Sequence, residues 1–246
     1  MESITSRRNP LCVHVKKLGA SRSYRDEHNE FLCDGLKLLE ETVKSNAEII
    51  IVLTSSQIPF RLPEGVRLYN LSNSLLDSIS PLKNPQDVLF SCKKIIQTPI
   101  AYDIGTFMLL DNVQDPGNVG TIIRSADAFG ISGILLTEGC ADPYNPKTIR
   151  ASMGAIFRQN VHMVNLNDIK QSGARIIGTT TDVNAIEISK ANLDDAIIVL
   201  GNEGQGISNE LRDICDEMIT IPLRGNSQSL NVAVAASIIM WEAQKP

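Results

Sequence analysis

The segment DPGNVGTIIRSADAFG, residues 115–130, follows an apolar run and places one arginine inside a predicted helix. Asn118 can cap this helix or direct its amide at a ligand. Arg124 lies near the helix start and opposes the helix dipole there, so it suits an incoming anion such as a phosphate better than it suits the helix. The alternative is a local ion pair with Asp127, three residues further on.

A second glycine-bearing segment, VLGNEGQGIS at residues 199–208, follows another apolar run. Its glycine order is G-x-x-G-x-G, which differs from the dinucleotide fingerprint and disfavours a nicotinamide site. Gly201, Gly204 and Gly206 expose backbone amides and carbonyls, which suits a neutral edge such as adenine or the backbone of a methionine. Glu203 is the lone carboxylate of the segment and either acts in catalysis or ties down the loop.

The third segment, IPLRGNSQSLNVAVAASIIMWE, covers residues 221–242. Pro222 ends a strand, and Ser227 or Ser229 is predicted to start a long helix. Because this helix is apolar on nearly every side, it must be buried on most of them, and a subunit interface would achieve that. Asn231 within the run needs hydrogen-bond partners; it either fixes a ligand or is a satisfied core amide.

Apolar strand-like runs alternate with helical patterns around these segments. The predicted strands cover residues 107–110, 134–136, 161–164, 175–178, 197–200 and 218–221, and the predicted helices cover residues 119–129, 146–158, 208–215 and 230–242. This alternation predicts an α/β fold with a mainly parallel sheet. Ligands of such sheets bind beyond the carboxyl ends of the strands, so the loops after Leu110, Leu200 and Ile221 are the expected site.

A smaller α/β block precedes this region. Apolar spacing predicts a helix over residues 29–44, and the run at residues 49–53 predicts a strand. We therefore predict a first domain at residues 1–95, a linker at 96–106 and a second domain at 107–246.

Charge is unevenly distributed along the 246 residues. The chain has a net charge of −5, whereas residues 1–25 carry six basic side chains against Glu2 alone, a net charge of +5. Such a segment on an acidic body is either a phosphate-tracking arm or a solvated terminus. The residues of such an arm, which would contact a nucleic-acid backbone, are Arg7, Arg8, Lys16, Lys17, Arg22 and Arg25.

Composition excludes several classes of protein. With 43% hydrophobic residues the chain can bury a core, but no run approaches the ~20 apolar residues of a membrane span, and no apolar block follows the basic start. We expect a cytoplasmic protein without a membrane partner. The five cysteines never form CxxC, and the three histidines stand alone, so we expect no metal site and expect each histidine to be structural or on the surface.

The three segments together resemble the motifs of the TrmH (SpoU) family of ribose 2′-O-methyltransferases, within the SPOUT class. NVQDPGNVGTIIRSADAFG resembles the first motif, VLGNEGQGIS the second and IPLRGNSQSLNVAVA the third. The basic block, including SRRNPLCVHVKKL and the later NPQDVLF, is similar to the L30e-like substrate-binding domain of the family.

The resemblance implies a parallel-sheet SPOUT fold with a C-terminal trefoil knot, a homodimer formed through the knot region, and S-adenosylmethionine as cofactor. It implies a catalytic group, which consists of Asn118, Arg124, Glu203, Ser229 and Asn231. It also implies a cofactor-binding group, which consists of Thr179, Leu200, Gly201, Glu203, Gly204, Ile221, Leu223, Ser229 and Leu230.

The implied reaction is methylation of a ribose 2′-hydroxyl in structured RNA, with 23S-type ribosomal RNA favoured by the two-domain layout. The alternatives are a tRNA 2′-O-methyltransferase and a SPOUT protein that binds RNA without catalysis. Because a guanidinium stays protonated at neutral pH, Arg124 is a poor base, and we expect it to anchor a phosphate and favour the developing alkoxide.

Overall fold

The computed structural model describes residues 2–102, 104–202 and 204–245. In chain order, the strands and α-helices are β1 (Glu2–Ser3), α1 (Pro10–Ala20), α2 (Arg22–His28), β2 (Glu30–Asp34), α3 (Leu36–Lys44), β3 (Ile49–Thr54), β4 (Arg67–Asn70), α4 (Asn73–Ile79), β5 (Val88–Lys93), β6 (Phe107–Leu110), α5 (Pro116–Phe129), β7 (Gly133–Leu136), α6 (Pro146–Ser152), β8 (Val161–Met163), α7 (Leu166–Gln171), β9 (Arg175–Thr179), β10 (Ile186–Glu187), β11 (Ala196–Leu200), α8 (Asn209–Arg212), β12 (Glu217–Thr220) and α9 (Val232–Ala243). Short 3₁₀ turns cover Ala155–Phe157 and Ile188–Lys190. No helix in this described part of the chain is long and apolar enough to cross a membrane.

The chain divides into two units. One contains the residues up to Ile96 together with Asp142–Arg158, and the other contains Gln97–Ala141 together with the residues from Gln159 onwards. The sequence analysis drew continuous domains and placed residues 142–158 in the segment 107–246. The segment Asp142–Arg158 therefore packs with the first unit, although residues on both sides of it in the chain belong to the second.

The second unit is built on a parallel sheet. Its described strands lie in the order β10-β12-β9-β11-β6-β7-β8, and every pair of neighbours is parallel. The central strands β6 and β11 are buried at every residue, because helices cover both faces of such a sheet. The six predicted strands are present with bounds shifted by about one residue, and the α/β class is confirmed.

The first unit has a mixed sheet in the order β1-β4-β3-β5-β2, in which β5 is antiparallel to β2 and β3. One buried cluster of this unit is mainly aliphatic and includes Leu18, Leu32 and Leu53. Phe31 in β2 adds ring contacts to Tyr144 and Phe157, at centroid distances of 4.8 and 6.0 Å. Two segments far apart in the chain thus close this unit.

Two helix predictions were wrong in part. The predicted helix over residues 29–44 is a strand, β2, followed by the helix α3. Every residue of β2 is buried because β2 pairs along its length with β5, a partner that local spacing cannot reveal. The predicted helix over residues 146–158 ends at Ser152, because Met153 and Gly154 adopt positive φ angles of 50° and 90°.

Candidate active site

The three predicted loops lie at one edge of the second-unit sheet. Parallel pairing places the carboxyl ends of β6, β11 and β9 side by side, and β12 pairs with β9 in the same direction. The segments that follow β6, β11 and β12 therefore begin at the same edge, where parallel sheets bind ligands.

The first loop leads into α5, and its capping differs from the prediction. Asp115 is the N-cap, since its carboxylate accepts a hydrogen bond from the Asn118 backbone N–H at 2.8 Å, and Pro116 occupies the first helical position. The prediction that Asn118 caps the helix was wrong. Its side-chain Oδ1 instead accepts a hydrogen bond from Asn231 Nδ2 at 3.0 Å.

Asn231 is the N-cap of α9, so the prediction that Ser227 or Ser229 starts this helix was wrong. The Asn231 Oδ1 accepts hydrogen bonds from the backbone N–H groups of Ala233 and Val234, at 2.9 and 3.3 Å. The side chain is exposed and is not a core amide. Because Oδ1 is committed to the helix, Nδ2 must face Asn118, and the orientation of the amide is fixed.

Arg124 lies on the outer side of α5. Its side chain is exposed, and no hydrogen bond or ion pair joins its guanidinium to another residue within the described ranges.

The glycine loop after β11 folds back on itself. Asn202 N–H donates to the Gly206 carbonyl at 3.0 Å, and Gly206 N–H donates to the Asn202 carbonyl at 2.8 Å. A Cβ atom at Gly201 would lie 2.1 Å from the carbonyl carbon of Gly206, so only glycine fits at position 201. Glu203, a predicted catalytic and cofactor-binding residue, lies outside the described residues.

Sequence reasoning missed two side chains that hold this loop. Asn202 Nδ2 donates to the Asn112 carbonyl at 3.0 Å, and Asn202 Oδ1 accepts from the Gly204 N–H at 2.9 Å. The buried Asp111 accepts a hydrogen bond from the Ser208 N–H at 2.7 Å. An aspartate directly after the buried strand β6 was the available signal.

The predicted cofactor-binding residues share the same edge of the sheet. Thr179 and Leu200 are the last residues of β9 and β11, and the Thr179 hydroxyl donates to the Val199 carbonyl at 2.8 Å. Ile221 follows β12 directly. The remaining predicted members, Gly204, Leu223, Ser229 and Leu230, lie in the two adjoining loops.

The chemistry of this edge suits a neutral, partly apolar ligand. Residues 222–229 are all exposed, and Leu223 has 39% of its surface exposed.

A buried thiol supports the end of β6. Burial raises the pKa of Cys140, and its thiol donates a hydrogen bond to the Leu110 carbonyl at 3.1 Å. Within the described ranges, no group of three His, Cys, Asp or Glu residues could hold a metal ion.

Five of the six basic residues predicted to bind RNA are exposed on the first unit: Arg7, Arg8, Lys16, Lys17 and Arg22. The prediction that Arg25 binds RNA was wrong, because only 3% of its surface is exposed. Its Nε donates to Asp142 Oδ2 at 3.0 Å and its Nη1 donates to the Leu18 carbonyl at 2.6 Å. These bonds occupy the guanidinium and remove it from any RNA surface.

Comparison with known proteins identifies the family. The model described as the SpoU rRNA Methylase family matches residues 105–241, more than half of the chain. The chain belongs to the SpoU rRNA methylase family. A second model, described as an MRM3-like substrate binding domain, matches residues 9–89.

Relatives of this SpoU protein match it over almost its full length. The 23S rRNA (guanosine(2553)-2′-O)-methyltransferase RlmP of Bacillus subtilis (strain 168) is 34% identical over 247 residues, covering 98% of each chain. The AdoMet-bound rRNA methyltransferase of Sinorhizobium meliloti superposes with a TM-score of 0.84 at 28% identity, covering 98% of this chain and 97% of that one. AviRb of Streptomyces viridochromogenes, a SpoU methyltransferase in complex with AdoMet, superposes with a TM-score of 0.80 at 26% identity. This match covers 96% of this chain and 97% of that one.

These matches confirm the α/β SPOUT-type fold and the assignment as an RNA (ribose-2′-O-)-methyltransferase. The family uses S-adenosylmethionine, as predicted. The exposed loop around Leu223 offers apolar surface, and the turn at Gly201 has no side chain to block its peptide groups, so both features fit this cofactor.

Proposed function

We propose that this SpoU-family methyltransferase methylates a ribose 2′-hydroxyl of 23S-type ribosomal RNA in the cytoplasm. The support is the full-length similarity to RlmP together with the match of residues 9–89 to a substrate-binding domain. There are two alternatives. The protein could methylate tRNA, or it could bind RNA without catalysis.

The observation that carries the proposal is the hydrogen bond between Asn231 Nδ2 and Asn118 Oδ1, at 3.0 Å. It joins the first and third motifs across 113 residues of chain. An amide nitrogen carries two hydrogens, so Asn231 has a second donor for the substrate. Such a donor stabilises negative charge that develops on a sugar oxygen, but it cannot accept the proton of that hydroxyl.

S-adenosylmethionine, when bound, supplies a methyl group on a sulfonium. The residues proposed to hold it are Thr179, Leu200, Gly201, Gly204, Ile221, Leu223, Ser229 and Leu230, with Glu203 as a further member. Their backbone groups surround the strand ends and need no charged partner. The task of these residues is alignment, which by itself accounts for a large part of the rate of such a displacement.

Arg124 is proposed to anchor a phosphate of the target RNA and to favour the developing alkoxide. Its exposure and its lack of an ion pair with any residue the structure describes support this role. Ser229 is exposed in the loop before α9, and we propose that its hydroxyl also faces the reacting sugar.

Single-turnover methylation at saturating RNA tests the role of Arg124. We expect Arg124→Ala to slow methyl transfer about 100-fold or more, and Arg124→Lys to recover part of the loss because it keeps the charge. Arg212→Ala, which removes an exposed arginine of the same unit, is the control and should act like the wild type. Wild-type rates for both Arg124 variants would refute the role.

The choice of RNA is tested separately. Purified protein is incubated with labelled S-adenosylmethionine and either protein-free 23S rRNA or tRNA, and the labelled position is mapped by resistance to alkaline cleavage. We expect label at a ribose of 23S rRNA. Label in tRNA alone would favour the first alternative, and RNA binding without label would favour the second.

The same proposal includes a knotted C-terminal segment and a homodimer. In support of the knot, β12 lies between β9 and β10, two strands that are consecutive in the chain. In support of the dimer, an apolar groove runs along α9 beside Asn118 and Asn231, with Val234 48% exposed and Trp241 58% exposed. A second copy seated on this groove would reach the two amides of the site.

A further inference from the structure

Three rings lie together where α1, α2 and β2 meet in the first unit. Tyr24 and His28 are stacked, with centroids 4.0 Å apart and planes at 27°. The His14 ring lies 5.6 Å from Tyr24 and 5.3 Å from His28. All three are half-buried, whereas the core of the unit beneath them is mainly aliphatic.

A chain of hydrogen bonds fixes two of these rings. His14 Nε2 lies 3.1 Å from Glu30 Oε2, and His14 Nδ1 lies 3.0 Å from the Tyr24 hydroxyl. A carboxylate only accepts, so Nε2 donates to Glu30, and Nδ1 accepts from Tyr24. Glu30 is buried, and its Oε1 has no hydrogen-bond partner among the described residues. The rings are therefore held in place before any ligand arrives.

His28 is the open member of the cluster. Its Nδ1 donates to the Tyr24 carbonyl at 3.1 Å, so the neutral ring presents Nε2 as an acceptor. No described residue makes a hydrogen bond to that Nε2. One face of the imidazole lies against Tyr24, and the edge with Nε2 remains available.

Cations surround the cluster. The exposed Lys17 holds its amine 5.3 Å from the centroid of the Tyr24 ring, and Lys93 Nζ donates to the His28 carbonyl at 3.3 Å. Of the nearby acidic side chains, Asp26 is paired with Lys94, and Glu27 is exposed. The surface thus combines stacked rings with positive charge, the combination that binds single-stranded nucleic acid.

We propose that His14, Tyr24 and His28 form a stacking platform for an unpaired nucleobase of the RNA substrate. The base extends the stack on the free face of His28, His28 Nε2 accepts a hydrogen bond from the nucleotide, and Lys17 contacts the adjoining phosphate. This inference rests on the proposed function and assigns the first unit a second kind of RNA contact besides its basic side chains.

The test compares His28→Ala with His28→Phe in the full-length protein. Both variants lose the bond to the Tyr24 carbonyl, but only His28→Phe keeps a ring. We expect His28→Ala to raise KM and Kd for 23S rRNA about 5- to 100-fold. His28→Phe keeps a stacking ring but lacks the Nε2 acceptor, so its rise should be at least about threefold smaller than that of His28→Ala. The rate at saturating RNA and the affinity for S-adenosylmethionine should not change.

Lys17→Gln should lower the salt slope of RNA binding by about one. Lys37→Gln, at an exposed lysine of the same unit that is not part of the platform, is the control and should leave the salt slope unchanged. Wild-type RNA affinity in His28→Ala, or equal losses in both His28 variants, would overturn the platform. Failure of the proposed function would look different, because the wild-type protein itself would then place no methyl group on RNA.

Discussion

At the start of α9, the Asn231 side chain accepts hydrogen bonds from two backbone N–H groups and donates one to Asn118. The first task stabilises the helix and the second belongs to the site. Aspartate caps helices as well as asparagine does, but it has no N–H to donate. The two tasks can therefore be separated by substitution.

We predict that Asn231→Asp keeps the thermal stability of the wild type but loses methyl transfer, while Asn231→Ala loses both. The loss of the cap should cost about 0.5–2 kcal/mol. The new carboxylate keeps the cap, but it has no N–H to donate to Asn118 or to the substrate. Calorimetric melting and single-turnover rates measure the two effects, and a fully active Asn231→Asp would contradict the donor role.

Asp34, at the end of β2, is a buried carboxyl whose titration affects stability. Burial raises its pKa from 3.8 to about 6, against the lowering effects of the Gln86 N–H, Arg150 and Ser80. The folded state therefore binds a proton more tightly than the unfolded state. Protonation of Asp34 therefore contributes to the free energy of unfolding. This contribution is fully present below about pH 4 and is lost as the pH rises through about 6.

We predict that Asp34→Asn is more stable than the wild type at pH 7.5 and that this advantage shrinks towards pH 4. A shift of about two pKa units corresponds to roughly 1–3 kcal/mol between the two ends. Urea unfolding at several pH values measures the difference. Asp77→Asn, an exposed aspartate of the same unit, is the control, and the same pH profile in both variants would rule out Asp34 as the cause.

Among the elements, those with strong local signals were predictable. The six apolar runs of the second unit became parallel strands, because strands buried on both faces are continuously apolar. The strand β2 was not predictable, since Phe31 and Leu32 also fit a helical spacing and only pairing with β5 decides. The N-cap Asp115 lies four residues before the predicted start at residue 119, and the N-cap Asn231 lies one residue after the predicted start at residue 230. The Asp-Pro dipeptide was the available signal for the first cap.

The exposed face of α9 leads to a prediction about assembly. Val234→Glu or Trp241→Glu should convert a dimer into monomers, because each places a charge in the apolar groove. Methyl transfer should fall with dimer content. Light scattering after size exclusion measures the mass, and Val183→Glu, at an 87% exposed site of the same unit, should stay dimeric. A monomeric wild type would contradict the interface.

At the scale of the whole chain, the first unit depends on a buried pair between residues 25 and 142. Removing one partner of a buried ion pair typically costs about 3–5 kcal/mol. We predict such a loss for Arg25→Ala, with faster hydrogen exchange in β2 and α6. Arg22→Ala, three residues away and exposed, should leave exchange unchanged and lower the salt slope of RNA binding. The reverse pattern would restore Arg25 as an RNA contact.

Sequence reasoning located the edge that carries the site but not its supports. Asn118 and Asn231 could be named from their motifs, yet their mutual hydrogen bond depends on how α5 packs on α9. Asp111 and Asn202 act through backbone groups of a distant loop, and such contacts leave no local spacing to read. The prediction for Arg25 was wrong for the same reason, because its partner Asp142 is 117 residues away in the chain.

The interleaved first unit also constrains synthesis on the ribosome. A nascent chain of 96 residues contains β5, the strand that pairs with β2, but lacks Tyr144, Phe157 and the carboxylate that pairs with Arg25. The unit can close only after residue 158 has emerged, by which time β6, α5 and β7 are already outside the tunnel. The order of synthesis and the order of folding therefore differ, because residues up to Ile96 complete their packing only when Asp142–Arg158 are available.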